Sequence, residues 1–326
     1  MTVSDANLSL LASRLQQHIK ERPDARFCQL IGSHGETVLT WRDLDVLSGR
    51  FIAAYRAANL SLGEEILIFV RHRPEMYGSF FGAILGGFVP SYMPCTSPKQ
   101  DPRIYWASHQ LLLDRTRPAA IVADRATFDE MRQAGLNLGS VRRVVLEELG
   151  QERAAPTPRS SDAIALLQHS SGTTGLKKGV ALSADAIVRQ INSYAEAIGA
   201  GPQDVIVSWL PVYHDMGLIA CCMMPAYLAI PIVQIDPFAW LAHPELLLDV
   251  LARHGGTLVW LPNFAFDHMT MVAARRSADY DLSKVRAFIN CSEPCKPASF
   301  DRFAVAFVAS GVRHDQLQCC FAMAEA

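Results

Sequence analysis

Short apolar runs alternate with helix-length amphipathic segments along most of the chain. Runs predicted as strands cover 65–70, 88–93, 119–123, 163–168, 180–182, 205–209, 230–234, 257–261 and 285–290. Segments predicted as helices are an amino-terminal one ending before Pro23, then 74–86, 101–116, 184–198, 243–254 and 297–309. The strand runs are continuously apolar, which is typical of parallel sheets covered on both faces. The pattern therefore predicts an α/β protein with doubly wound parallel sheets.

One polar segment divides this pattern into two portions. Residues 148–162 are rich in proline, serine and charge, as expected of a surface connection. A chain of 326 residues suits about two domain-sized units. We therefore expect a first α/β portion over 1–155 and a second over 156–326.

Charge and cysteine usage exclude several classes of protein. Thirty basic and 32 acidic residues give a net charge of -2, so no global charge favours nucleic acid or an anionic membrane as partner. The eight cysteines lack the paired spacing of a zinc site or a small disulfide framework. They are interpreted as reduced thiols of a cytoplasmic protein.

One uncharged stretch, from Gly217 to Ile235, is almost long enough to span a bilayer. It contains Pro225 and Pro231, which interrupt a continuous helix. A buried helix followed by a buried strand is the better interpretation, and we expect no transmembrane segment.

The segment from His169 to Gly179 contains glycines, hydroxyl side chains and lysines directly after an apolar run. Glycines let backbone N–H groups approach an anion, hydroxyls donate to phosphate oxygens, and a lysine adds positive charge. The pattern indicates a polyphosphate-binding loop, although a surface hairpin has a similar composition. A Walker P-loop is not matched, because Gly179 follows Lys178 instead of preceding it.

The order Ser-Ser-Gly-Thr-Thr-Gly-x-x-Lys-Gly resembles the signature loop of the adenylate-forming enzymes. These include acyl-CoA synthetases, fatty acyl-AMP ligases, luciferases and peptide-synthetase adenylation domains. The resemblance implies that the loop holds the β- and γ-phosphates of ATP and that Lys178 serves catalysis. The loop residues concerned are Ser170, Ser171, Gly172, Thr173, Thr174, Gly175, Lys178 and Gly179. The family usually has proline where Lys177 stands, a difference expected to alter loop stiffness more than chemistry.

Three further segments, 208–219, 235–241 and 261–267, resemble those of fatty acyl-AMP ligases in particular. The resemblance implies that His214 borders the acyl tunnel near the reacting carboxylate and that Asp215 orients the loop. The implied acyl site is His214, Asp215, Met216 and Gly217. A lone His-Asp pair would otherwise be interpreted as a satisfied turn. A hydrolase triad is a poorer fit, because no G-x-S-x-G motif occurs.

Two segments near the carboxyl terminus resemble adenine-binding motifs of the family. Residues 289–297 resemble the strand-end segment that flanks adenine, and 320–326 resemble the motif that combines an aromatic residue with an acidic one. The implied adenine site is Cys291, Ser292, Glu293, Pro294, Phe321, Ala322 and Met323. Glu325 is implied as the Mg²⁺ ligand and as a catalytic residue, since Mg²⁺ prefers oxygen donors. Alternatively, residues 291–294 cap the helix predicted near Pro297.

The resemblance implies ATP-dependent activation of a fatty or other apolar carboxylic acid to acyl-AMP, with release of pyrophosphate. ATP and Mg²⁺ are the implied cofactors. A carrier-protein phosphopantetheine is the expected acceptor, with CoA as the alternative, and an amino-acid substrate stays open. The family's ribose-binding aspartate and carboxy-terminal domain with its catalytic lysine are not found before residue 326. A non-catalytic nucleotide-binding or partner module is therefore the alternative of another class.

Overall fold

The computed structural model describes residues 9–33, 35–97, 101–157, 159–170, 178–273 and 280–321. The side chains of Ser170, Lys178 and Ala273 are outside this description. The chain divides into two compact units, the first formed by Met1–Asp24 and Trp41–Arg189, and the second by Ala25–Thr40 and Gln190–Ala326.

The helices are α1 (Leu10–Glu21), α2 (Trp41–Ala57), α3 (Pro74–Gly86), α4 (Pro102–Thr116), α5 (Arg125–Gln133), α6 (Ala184–Ile198), α7 (Asp215–Leu218), α8 (Met224–Leu228), α9 (Pro237–Ala242), α10 (Leu246–His254), α11 (Asn263–Ala273) and α12 (Pro297–Phe307). The strands are β1 (Arg26–Gly32), β2 (Gly35–Thr40), β3 (Glu65–Phe69), β4 (Val89–Tyr92), β5 (Ala120–Ala123), β6 (Arg142–Val145), β7 (Ile164–Ser170), β8 (Lys178–Ser183), β9 (Ile206–Ser208), β10 (Ile232–Ile235), β11 (Leu258–Pro262), β12 (Ala287–Cys291) and β13 (Leu317–Cys319).

The first unit contains a four-stranded parallel sheet in the order β4-β3-β5-β6. Helix α3 begins with proline and ends at Gly87, whose φ of +82° is the left-handed conformation that glycine tolerates best. Its glycines allow close packing on α2, since a Cβ at Gly78 would lie 2.7 Å from Leu47 Cβ. Strands β7 and β8 form a separate antiparallel pair, and β7 contacts β4.

The second unit contains a seven-stranded sheet in the order β13-β12-β11-β9-β10-β1-β2. All its pairings are parallel except that of β1 with β2, where an edge strand runs antiparallel. The predicted α/β class with parallel sheets is confirmed. Strand β2 and the β7–β8 pair run antiparallel, because Gly35 permits a tight reversal and because the segment between β7 and β8 is too short for a crossover helix.

The uncharged stretch forms the helical segments α7, π-helical Ile219–Met223 and α8, followed by strand β10. The expected buried helix and buried strand are thus confirmed. Across the described ranges, none of the helices combines the length and the apolar character needed to cross a membrane.

The contact-based units do not coincide with the two portions expected from the sequence. Strands β1 and β2 join the second unit because β1 pairs with β10, whereas β7 and β8 group with the first. The division into portions 1–155 and 156–326 stays a prediction.

Candidate active site

The segment predicted to bind phosphate begins at the end of β7 and ends at the start of β8, two strands of the first unit. The register of the two strands places Ser170 opposite Lys178 and His169 opposite Gly179, so the ends of the loop are held side by side. Several predicted residues lie outside the described residues, namely Ser171, Gly172, Thr173, Thr174 and Gly175 of the loop, with Ala322, Met323 and Glu325 near the carboxyl terminus. The roles of these residues stay predictions.

The remaining predicted residues follow the carboxyl ends of strands in the second unit. Strands β9, β11, β12 and β13 are parallel neighbours, so their carboxyl ends share one edge of the sheet. This edge is where ligands bind in open α/β sheets. His214 follows β9, residues 291–294 lie at the end of β12, and Phe321 follows β13.

His214 is held at the start of α7 by a tight turn. Its backbone N–H donates to Pro211 O at 3.1 Å, and its carbonyl accepts from Leu218 N at 2.8 Å. A Cβ at Gly217 would lie 2.2 Å from Pro211 O, so only glycine fits beneath this turn. The His214 side chain is exposed and its ring centroid lies 4.9 Å from that of Tyr213.

Asp215 lies within electrostatic reach of the adenine-flanking segment. Its carboxylate accepts from Met216 N at 2.8 Å. Burial raises the pKa of the Cys291 and Cys320 thiols, and the negative charge of Asp215 adds to both shifts. The predicted acyl and adenine segments therefore adjoin at this edge, as their strand positions imply.

The turn after β12 is fixed by two unusual features. Ser292 has a φ of +71°, in the left-handed region that non-glycine residues seldom adopt. The Glu293 carboxylate accepts a hydrogen bond of 2.6 Å from Phe264 N at the start of α11. The alternative role as a cap of α12 is wrong, because Lys296 is the N-cap of α12 and makes no side-chain capping bond.

A buried asparagine that the sequence analysis did not single out organises the same turn. Oδ1 of Asn263 accepts from Asn290 Nδ2 at 3.0 Å and from Lys296 N at 2.9 Å. Its Nδ2 donates to Ser299 Oγ at 3.1 Å. The sequence signals were its place in the 261–267 segment and a polar amide close after an apolar run.

The segment after β13 is tied to β12 by its backbone. Cys320 N donates to Asn290 O at 2.9 Å. The Cys320 thiol is hydrogen-bonded to the Tyr194 hydroxyl, which accepts from Trp260 Nε1 at 2.7 Å. Phe321 is 86% exposed, so its ring is available to a ligand.

Three sequence segments that resembled fatty acyl-AMP ligases converge on one aromatic cluster. Trp209 and Trp240 stack with their ring centroids 3.7 Å apart and their planes 9° apart. Phe264 lies edge-on to both indoles at 6.1 Å and is 46% exposed. Trp240 is fully buried and Trp209 is 5% exposed, so the stacked indoles form a packed core beside the turn, and Phe264 is the exposed ring of the three.

Among the described residues, no group of three or more His, Cys, Asp or Glu side chains could hold a metal ion. This finding is compatible with Mg²⁺, because Mg²⁺ bound to nucleotides takes one or two carboxylates and completes its shell with phosphates and water. All eight cysteines are free thiols.

An α/β fold with its candidate site at the carboxyl ends of parallel strands defines the class of protein. The model of the family described as "AMP-binding enzyme" matches residues 15–326, and the chain belongs to that family.

Two curated relatives illustrate the similarity. The chain is 27% identical over 297 residues to a medium-chain-fatty-acid–[acyl-carrier-protein] ligase, JamA, from Moorena producens, covering 88% of this chain and 50% of the relative. It is 30% identical over 302 residues to a long-chain-fatty-acid–AMP ligase, FadD32, from Mycobacterium marinum, covering 86% and 47%. The chain thus spans about half the length of these relatives.

Solved structures share the fold. A fatty acyl-adenylate ligase from L. pneumophila, in complex with acyl adenylate and pyrophosphate, aligns with a TM-score of 0.87 at 23% identity, covering 96% of this chain and 55% of the other. An adenylation domain of a keto acid-selecting NRPS module bound to keto acyl adenylate aligns with a TM-score of 0.87 at 20% identity, covering 98% and 58%.

Proposed function

We propose that the chain provides the ATP- and acid-binding part of an enzyme that activates a fatty or similarly apolar carboxylic acid as acyl-AMP. The observation that carries this proposal is the convergence of three fatty acyl-AMP ligase-like segments on the aromatic cluster of Trp209, Trp240 and Phe264. The cluster stands at the sheet edge where His214 and the 291–294 turn also lie.

In the proposed reaction, a carboxylate oxygen attacks the α-phosphorus of ATP, and the bond to the bridging oxygen breaks to release pyrophosphate. Positioning and charge neutralisation supply most of the catalysis in reactions of this kind. Lys178 and the hydroxyls of the phosphate loop would hold the β- and γ-phosphates. Mg²⁺, with Glu325 as its protein ligand, would supply further neutralisation of the phosphate charge.

We propose that the adenine base of ATP binds at the second unit. Ser292 turns the backbone sharply at the end of β12, and Glu293 fixes that turn to α11. The exposed ring of Phe321 is free to stack on a purine, for which an aromatic side chain without a hydroxyl suffices. We assign adenine binding to residues 291–294 and 321–323.

The acid is proposed to be apolar because three segments resemble those of fatty acyl-AMP ligases and because the Phe264 ring is 46% exposed at this sheet edge. Burying apolar surface of a ligand is worth about 25 cal/mol per Å², so an extended alkyl chain would gain more here than a short polar acid. His214 to Gly217 would border the reacting carboxylate.

The acceptor is proposed to be the phosphopantetheine thiol of a carrier protein. JamA, which is named as an acyl-carrier-protein ligase, supports this choice. Free CoA is the competing acceptor. We also propose a cytoplasmic location, because the spacing of the eight cysteines favours reduced thiols.

Calorimetric titration with two non-hydrolysable acyl-adenylate mimics tests the binding site. One mimic carries a medium-length alkyl chain and the other an amino acid. We expect the alkyl mimic to bind at least tenfold more tightly, and Phe321→Ala to weaken both mimics because the base loses its stacking partner. Preference for the aminoacyl mimic would contradict the proposed substrate class.

A lysine pair tests the phosphate loop. Lys178→Ala should weaken ATP binding strongly but leave the alkyl mimic nearly unaffected, because the mimic lacks β- and γ-phosphates. Lys284→Ala removes an exposed lysine outside the candidate site and should change neither affinity. Equal ATP affinity in the wild type and Lys178→Ala would count against the assignment.

The identity of the acyl acceptor is tested with the full-length protein that contains this chain. Acyl transfer is followed with ATP, a fatty acid and either holo carrier protein, apo carrier protein or CoA. The proposal requires transfer to the holo form alone, whereas transfer to CoA would identify an acyl-CoA synthetase.

A further inference from the structure

His169 lies at the base of the phosphate loop and is buried, with 8% of its surface exposed. Its Nδ1 and the hydroxyl of Ser91 are hydrogen-bonded at 2.7 Å. Ser91 is fully buried in β4, where it stands opposite Leu67 of β3. The imidazole therefore connects the strand that enters the loop to the four-stranded sheet of the first unit.

The same ring also covers the strand that leaves the loop. Gly179 stands directly opposite His169 in the β7–β8 pair. A Cβ added at Gly179 would lie 3.2 Å from His169 Nε2, closer than ordinary van der Waals contact. His169 lies in β7 one residue before Ser170, and Gly179 lies in β8 one residue after Lys178. The imidazole therefore contacts both strands at the base of the loop.

We propose that His169 is a positioning residue, which acts with Ser91 to fix both ends of the phosphate loop for binding the β- and γ-phosphates of ATP. This proposal rests on the proposed function. The seven residues 171–177 connect Ser170 to Lys178, and the hydrogen-bonded base fixes the two positions from which this connection starts and ends. Fixing the base before ATP arrives lowers the ordering cost of binding.

A purely structural role for the pair makes a different prediction. Buried polar groups are normally hydrogen-bonded, and losing one partner destabilises the fold whatever the nearby function. In that case ATP and the alkyl-adenylate mimic would be affected alike. A positioning role lowers the affinity for ATP alone, since only ATP carries the phosphates that this loop holds.

The experiment compares the two affinities in the complete chain for the wild type and four variants. Ser91→Ala and His169→Leu remove the hydrogen bond, and both should bind ATP about tenfold more weakly, the size expected for one buried hydrogen bond. The mimic should bind within about twofold of the wild type. His169→Asn places an amide where Nδ1 stands and should restore most of the ATP affinity.

His109→Leu is the matched control. His109 is also a buried histidine of the first unit, with Nδ1 hydrogen-bonded to Tyr105 O at 2.9 Å. Its loss should lower stability without changing the ratio of the two affinities. Should His169→Leu fail to fold, Ser91→Ala, the smaller change, carries the comparison.

Among the variants, normal ATP affinity in both Ser91→Ala and His169→Leu, or an equal loss of affinity for both ligands, would overturn the proposal. If the wild type binds the mimic but not ATP, the positioning role fails and the adenylate site survives. If the wild type binds neither ligand, the proposed function itself fails and the positioning role fails with it.

Discussion

Asn290 donates from its side-chain amide to Oδ1 of Asn263 at 3.0 Å, joining the carboxyl ends of neighbouring strands β12 and β11. Asn263 is 3% exposed and Asn290 is fully buried. The same Oδ1 also holds Lys296 N, so one side chain fixes both ends of the turn that carries residues 291–294. Asn263 makes three hydrogen bonds, to Asn290, Lys296 and Ser299, and these give the turn a defined geometry.

Replacement of Asn263 by alanine should destabilise the second unit. The change leaves Asn290, Lys296 and Ser299 each without one hydrogen-bond partner, and one unsatisfied buried group costs about 1–3 kcal/mol. We expect the free energy of unfolding, measured by urea denaturation, to fall by about 2–4 kcal/mol. Met271→Ala is the control on the same helix, because Met271 is 73% exposed and should be nearly neutral. A loss below the error of the extrapolation for Asn263→Ala would contradict this account.

Glu293 should act on the adenine side of the site through its bond to α11. Glu293→Gln retains an oxygen that can accept from Phe264 N, whereas Glu293→Ala removes it. We expect Glu293→Ala to cost about 1 kcal/mol of stability, as for the loss of a helix cap, and to weaken the alkyl-adenylate mimic several-fold. The glutamine variant should lie close to the wild type in calorimetric titration. If both variants are equally impaired, the charge of Glu293 matters and its capping bond does not, and if both match the wild type, neither matters.

The sequence predicted most of the strands because parallel strands buried on both faces leave long apolar runs. Strand β3 and helix α3 illustrate this, since the bounds found, Glu65–Phe69 and Pro74–Gly86, agree closely with the predicted 65–70 and 74–86. Strand β2 was missed because most of its residues are exposed and Leu39 is the one buried residue, so it leaves no apolar run in the sequence. Its position depends on pairing with β1, which local periodicity does not reveal.

The candidate site was predicted only where a motif carried it. His214 and residues 291–294 were predicted from their resemblance to family motifs, and the structure places both at the same sheet edge. Ser91 gave no comparable signal, and Asn263 lay within the 261–267 segment without being singled out, because a buried polar residue is recognised by its partners across the fold. Glu293 was predicted beside the base, but its bond to α11 required the tertiary structure.

Stability should depend on pH through Glu65 at the start of β3. Burial raises the pKa of its carboxyl from 4.5 to about 7, and its Oε1 has no hydrogen-bond partner among the described residues. The folded state therefore favours the protonated carboxyl. The contribution of Glu65 to the free energy of unfolding is fully present below pH 4.5 and is lost as the pH rises through about 7. Glu65→Gln cannot ionise and should be more stable than the wild type at pH 8 by roughly 1–2 kcal/mol, a value reduced for partial solvent access. Urea denaturation at pH 5 and pH 8 checks this, and a gain at pH 5 as large as that at pH 8 would exclude a titration effect.

Gly217→Ala should separate the acyl side of the site from the nucleotide side. The new Cβ would lie 2.2 Å from Pro211 O, and that distance cannot be met without moving the backbone turn that presents His214. We expect roughly tenfold weaker binding of the alkyl-adenylate mimic, with AMP binding within about twofold of the wild type, because the 291–294 turn has its own anchor at Asn263. Gly150→Ala is the matched control, since its nearest neighbour would be Glu152 N at 3.9 Å, an ordinary contact. Equal losses for AMP and the mimic would show that the Pro211–Gly217 contact supports the whole sheet edge, and not the acyl side alone.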